Sequence, residues 1–234
     1  MARYTLNEFI EETAQQDKGE GLFEMENKRL LEINLNGMVW IKIVSMVAYT
    51  GNIKFVREGM LEQGVDKLFK KALTGEGVRL AKATGAGKLY VADGAKRISI
   101  INLQNEAIYV NGNDVLAFEA GVHYDIKMMR RVSSMLTGGL FNVRLEGTGM
   151  IAITSFGEPI TLRVTPDKPV ITDPNATIAW SGNLVPELRT DITLKTFIGR
   201  GGGESLQSVY TGDGFVIIQP CEETDFAQPA SGSH

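Results

Sequence analysis

Apolar and polar residues alternate through most of this chain, and one short arrangement of them returns three times. Ala83-Thr84-Gly85-Ala86-Gly87-Lys88-Leu89-Tyr90-Val91 sets Gly, one residue and Gly ahead of alternating apolar positions. Glu146-Gly147-Thr148-Gly149-Met150-Ile151-Ala152-Ile153 and Tyr210-Thr211-Gly212-Asp213-Gly214-Phe215-Val216-Ile217-Ile218 do the same. The first glycines of the three copies lie 62 and 65 residues apart. A nearly constant period implies one supersecondary unit used repeatedly.

The remaining pattern fills in the elements. Thr5 and Glu8 have capping-box spacing, and Leu6, Phe9, Ile10, Thr13 and Ala14 recur at helical intervals, which predicts a short N-terminal helix. Its apolar stripe is expected on the domain or a partner subunit, because Glu8, Glu11 and Glu12 would face the headgroups of an anionic membrane. From Leu22 to Phe55 the period is two, with Asn36-Gly37 between alternating runs as a hairpin signal. Leu61, Val65, Leu68, Phe69 and Ala72 predict a second helix near 60–73, whose C-terminal lysines complement its dipole.

After Gly75 the chain reads as strands, with tight loops at Ala92-Asp93-Gly94-Ala95 and Phe156-Gly157-Glu158-Pro159 and a turn at Asn111-Gly112. Lead-ins recur before the Gly-x-Gly copies, as Leu73-Thr74-Gly75-Glu76-Gly77, Leu136-Thr137-Gly138-Gly139-Leu140 and Gly201-Gly202-Gly203-Glu204. The Ile33–Val47 stretch is similar to Tyr109–His123 and Ile171–Val185, so it is expected to complete a third unit begun at the C-terminus, which would bring the chain ends together. Asp125–Met135 reads as strand or loop. Periodicity is lost beyond Cys221, and a disordered tail is expected over 227–234.

Composition narrows the class. With 234 residues, 43% of them hydrophobic, the chain can bury one sizeable core, expected as a single β-rich domain over 1–226. A net charge of −4 gives no electrostatic footprint for duplex DNA or an anionic membrane. One cysteine, Cys221, rules out an internal disulfide and a cysteine-based zinc site, which suits a reducing compartment. The N-terminus lacks a signal peptide's apolar core, and no stretch reaches the roughly 20 apolar residues of a membrane span, so a cytoplasmic protein is expected. In that setting Asn175-Ala176-Thr177 reads as a turn after Pro174 rather than a glycosylation site.

The three Gly-x-Gly segments, the Leu-Thr-Gly lead-ins, the segment from Trp40 to Tyr49 and the closing Tyr210–Gln219 stretch together resemble one family. It is the altered-inheritance-of-mitochondria family of TRAP-like proteins. The resemblance covers Leu22 to Gln219. It implies a β-sandwich-like fold of repeated units, shared with the tryptophan RNA-binding attenuation protein, and many bacterial members without an assigned activity. Eukaryotic members are associated with mitochondrial inner-membrane organisation; without a presequence, this chain reads as a bacterial-type member. The family supplies no catalytic signature to carry over.

Candidate chemistry is sparse. Gly85-Ala86-Gly87-Lys88 is no phosphate loop, since Lys82 and Leu89 stand where glycine and Ser or Thr would be required and no helix follows. Gly199-Arg200-Gly201-Gly202-Gly203-Glu204 could present Arg200 and backbone amides of Gly201, Gly202 and Gly203 to an anion. A flexible loop is the plainer reading of it. The two histidines, His123 and His234, are too few and too far apart for a dyad or a metal site, and Cys221 has no histidine near it. Trp40, Phe118 and Trp180 take related places in the repeats and are expected in the core rather than on a base-stacking platform.

These observations predict an all-β, TRAP-like sandwich or barrel of about three pseudo-repeated hairpin units with a short N-terminal helix and one further helix. The functional expectation is a non-enzymatic scaffold or binding protein acting as a homo-oligomer, with no cofactor, metal or DNA partner. RNA binding is the alternative, by fold analogy, and an enzyme using carboxylates and loop amides is the third reading.

Overall fold

The computed structural model describes residues 3–19, 21–57, 80–128, 141–191 and 205–222. A helix, α1 (Leu6–Glu12), is followed by β1 (Phe23–Asn27), β2 (Leu30–Lys42), β3 (Met46–Tyr49), β4 (Asn52–Arg57) and β5 (Leu80–Val91). Next come β6 (Arg97–Asn111), β7 (Val115–Glu119), β8 (His123–Met128) and β9 (Phe141–Ser155). The last group is β10 (Ile160–Val164), β11 (Val170–Thr172), a 3₁₀ turn at Pro174–Ala176, β12 (Thr177–Ser181), β13 (Glu187–Asp191), β14 (Ser205–Tyr210) and β15 (Gly214–Ile218). The protein is therefore mostly β, with one large antiparallel sheet of twelve strands and a second sheet of β11, β14 and β13.

The strand pairing follows from alternation. In β2, Leu31, Ile33, Leu35, Val39 and Ile41 are buried on one face, which only Gly37 interrupts, as a strand set against a core requires. They pack with Phe23, Leu89, Val91 and Leu116 in one cluster. A second holds Trp40, Val110, Phe118, Val143, Leu145 and Ile151, and a third Val164, Trp180, Leu184, Tyr210 and Val216. Burying a side chain of this size contributes about 1.5–3 kcal/mol.

The register has a recurring form. β2 runs along one side of β5, while the other side is shared by β4, opposite 81–86, and β3, opposite 89–91. β6 runs along one side of β9, with β8 opposite 141–146 and β7 opposite 151–153 on the other. Along β14 and β15, β11 and β10 take one side, and β13 and β12 the other.

Several expectations change. Asn36-Gly37 is no turn: both residues lie inside β2, opposite Ala86 and Gly85. Leu35 and Val39, on either side of the exposed Gly37, are buried with the same parity, so a continuous strand keeps one face on the core. Gly85-Ala86-Gly87 and Gly147-Thr148-Gly149 also lie within single strands rather than at hairpin tips. Their positive φ angles, 132° and 152° at Gly85 and Gly87, kink the strand where two short partners succeed one another. The chain ends do not share a unit: β2 pairs with β1, β5 and β7, while β15 pairs with β10 and β12.

The capping box forms as read, with the Glu8 amide donating to Thr5 Oγ1 and the Thr5 amide donating to Glu8 Oε2 at 2.7 Å. No residue of α1 is buried, so its stripe does not pack on the described domain. The helix predicted near 60–73, the Arg200–Gly203 loop and the 227–234 tail lie outside the described residues.

Candidate functional site

Two strands do double duty. β7 pairs with β9 and also with β2, where Ala117, Phe118 and Glu119 face Ile41, Trp40 and Val39. β12 pairs with β15 and also with β6, where Ala179, Trp180 and Ser181 face Val110, Tyr109 and Ile108. Both carry an Ala-aromatic pair after the same one-residue irregularity, between Val115 and Ala117 and between Thr177 and Ala179. Each aromatic lies on the ring opposite: Phe118 stacks on Trp40 with centroids 6.0 Å apart, and Trp180 on Tyr109 at 5.3 Å. A cation covers each outer ring, Lys82 Nζ at 4.9 Å from Trp40 and Arg144 at 6.0 Å from Tyr109. Such pairs contribute about 0.5–1.5 kcal/mol beyond area burial. Trp40, Phe118 and Trp180 are all buried, as the sequence predicts.

Beside the first of these contacts lies a buried ionic cluster. Lys96, from the β5–β6 loop, points its ammonium at Asp114 in the β6–β7 turn, 3.0 Å from Oδ1, with Asp93 Oδ2 at 3.8 Å. Lys42, the last residue of β2, reaches Asp93 Oδ2 at 2.8 Å and the Asn113 carbonyl at 2.6 Å. Thr154 in β9 donates to the same Asp93 oxygen at 3.1 Å, and the Phe156 ring lies 4.7 Å from Lys96 Nζ. Four segments distant in sequence meet on these charges, which are directional where apolar packing is not.

A second charged cluster lies beneath the chain that follows α1. Glu24 of β1 and Glu32 of β2 face each other across the ladder, and both side chains are fully buried. Glu32 accepts from Lys88 at 2.7 Å and from Gln15 Nε2 at 2.8 Å; Glu24 accepts from Asn34 Nδ2 at 3.1 Å and from the Lys18 amide. Lys88 also reaches Asp17 at 3.2 Å, and the Gln16 amide donates to Glu26 at 3.3 Å. The carboxylates thus strap residues 15–18 across β1, β2 and β5.

Burial pushes the Glu32 carboxyl up, but hydrogen bonds from Lys88 and Tyr90 and the Lys88 charge outweigh it, so its pKa lies below the usual 4.5. The Tyr90 hydroxyl is pushed up to about 12, by burial first and then by its hydrogen bond to Glu32. Because the folded-state value of Glu32 is depressed, its stabilisation is complete above pH 4.5 and is lost as pH falls through the folded-state value. The strap is therefore expected to release in acid before the core opens, read by hydrogen exchange at the Gln16 and Lys18 amides. Lys88→Met should move that release to higher pH, and an unchanged midpoint would contradict the assignment.

Of the other sequence candidates, His123 opens β8 and is exposed, and Cys221 is partly buried and free of any disulfide. Among the described residues no group of three or more His, Cys, Asp and Glu is placed to hold a metal ion, and no helix is long and apolar enough to cross a membrane. The two ionic clusters escape sequence reasoning. Glu24, Glu26 and Glu32 occupy the polar phase of alternating strands, a pattern that also describes a solvated face.

A large antiparallel sheet whose shared strands carry aromatic stacks and buried ion pairs places the chain among mostly-β proteins, and a bacterial protein has a similar fold. The X-ray crystal structure of a protein from Streptococcus pyogenes matches with a TM-score of 0.67 at 23% identity, over 88% of this chain and 94% of that one. Residues 23–221 match the family described as Mitochondrial biogenesis AIM24, and the chain belongs to that family. No curated protein matches the chain.

Proposed function

We propose that the protein is a non-enzymatic scaffold or binding protein of TRAP-like construction, working in the cytoplasm as a homo-oligomer. Its single domain is three copies of one unit: a long strand, two short strands and a second long strand kinked by Gly-x-Gly. β2–β5, β6–β9 and β10–β15 are those copies, and their common pairing scheme supports this reading.

The observation that carries the function is where the buried charges go. Lys42, Asp93, Lys96 and Thr154 tie the first unit to the second, and Glu24, Glu32 and Lys88 hold the N-terminal strap. A reaction centre needs titratable groups aimed at a substrate, and these are aimed at each other. The Arg200–Gly203 loop remains the candidate for an anionic ligand. Native mass spectrometry tests the proposal: a discrete multimer supports it, and a monomer that turns over a co-purified small molecule overturns it. The RNA alternative predicts affinity that falls steeply with salt; a salt-independent or absent signal removes it.

A further inference from the structure

We infer that copies of this chain join head to tail, the β3 edge of one pairing with the β11 edge of the next. The inference rests on the three-unit reading above and names the surfaces that would build its oligomer. Within one chain the short strand β7 bridges to β2, and β12 bridges to β6, each time through an Ala-aromatic pair laid on a long strand of the preceding unit. β3 is the third member of that series. Met46, Ala48 and Tyr49 face Val91, Tyr90 and Leu89, with the same irregularity between Met46 and Ala48 that β7 and β12 show. Tyr49 therefore stands where Phe118 and Trp180 stand, and Ala48 where Ala117 and Ala179 stand.

The neighbouring ring is in place too. Tyr124 of β8 packs on Phe118 at 5.4 Å, and Phe55 of β4 packs on Tyr49 at 5.4 Å. What differs is the third side chain. Trp40 completes the trio with Phe118 and Tyr124, 5.0 Å from Tyr124, whereas β3 is the end strand of the large sheet. Tyr49 is accordingly 47% exposed, Val47 60% and Phe55 37%.

The matching vacancy is at the other end of the chain. Trp40 faces Lys82 and Tyr109 faces Arg144, in each case three residues before the first glycine of the motif. Three residues before Gly212 is Val209, and the residue facing it is Ile171 of β11. Ile171 is 56% exposed, and β11 is an end strand of the small sheet, paired only with β14 among the described residues. Among the described residues there is thus one bridging strand without a long-strand partner and one long-strand segment without a bridge. Both present apolar side chains, so the occupant that fits each is the other edge on a second copy. The register of the two internal bridges sets Tyr49 opposite Ile171 and Ala48 opposite Thr172. Such an interface is heterologous, so it generates a ring if the rotation closes and a filament if it does not.

Cysteine cross-linking in a Cys221→Ser background tests this on the full chain. The double variant Tyr49→Cys with Ile171→Cys should give a ladder of covalent multimers under mild oxidation on a non-reducing gel, and Ile171→Lys, a solvent-facing change in the single chain, should dissociate the native assembly. A double variant that runs as a monomer with an internal disulfide would show that the edges meet within one chain and overturn the inference. So would a covalent dimer from Tyr49→Cys alone, which would mean that the β3 edge pairs with itself. If the unmodified protein is multimeric and neither variant alters it, the edge assignment fails while the oligomer stands; if it is monomeric at every concentration, both fail.

Discussion

Asp114→Ala is expected to cost about 3–5 kcal/mol of folding stability, because it removes the carboxylate 3.0 Å from the buried Lys96 ammonium. The side chains of Lys96 and Asp114 are 6% and 1% exposed, so water cannot replace the lost partner. Coulomb attraction alone does not make such a pair stabilising, since removing both charges from water consumes most of the gain. That gives the prediction a second arm: Lys96→Met combined with Asp114→Leu should recover most of the loss, because both buried charges are then removed together. Urea denaturation of the two variants reads the difference. Glu158→Ala is the control. It removes exposed contacts to Lys28 and Arg97 and should change stability by less than about 1 kcal/mol. If the single Asp114 variant behaves like that control, the cluster does not fasten the fold.

How far the sequence alone reveals this structure depends on the range of the interaction concerned. Alternation from Leu31 to Ile41 or from Leu145 to Ile153 is a local signal, and it places the strands and most of the core. Thr5 and Glu8 are three residues apart and make their cap as read. Asn36-Gly37 misleads because the same dipeptide that closes a type I′ turn also tolerates the 130° φ of a kink inside a strand; only the partner strand, with Gly85 directly opposite, decides between them. The Lys42–Asp93–Lys96–Asp114 cluster joins residues up to 72 positions apart, so nothing local announces it. The Ala-aromatic pairs at 48–49, 117–118 and 179–180 were visible as letters, but their equivalence follows only from the shared register shift.

The Gly-x-Gly motif has a physical cause that yields the second large effect. Gly85→Ala is expected to destabilise the protein by roughly 3–5 kcal/mol, the sum of a left-handed backbone penalty and a steric one. At φ 132° an L side chain is strained wherever it stands, and a Cβ on Gly85 would also overlap the backbone carbonyl oxygen of Asn52. That oxygen belongs to β4, whose ladder with β5 from Asn52 to Arg57 must shift to make room. Gly87 has the same relation to the Thr50 carbonyl oxygen, so the motif marks where the turn between β3 and β4 lies against β5. Gly37→Ala separates the two terms. Its φ is 130°, almost that of Gly85, yet nothing lies within 4 Å of the added carbon, so only the backbone penalty of about 1–2 kcal/mol remains. Chemical denaturation of both variants should show Gly85→Ala losing at least twice as much as Gly37→Ala. Equal losses would mean that the motif is retained for backbone conformation alone, and that β4 yields to a methyl group without cost.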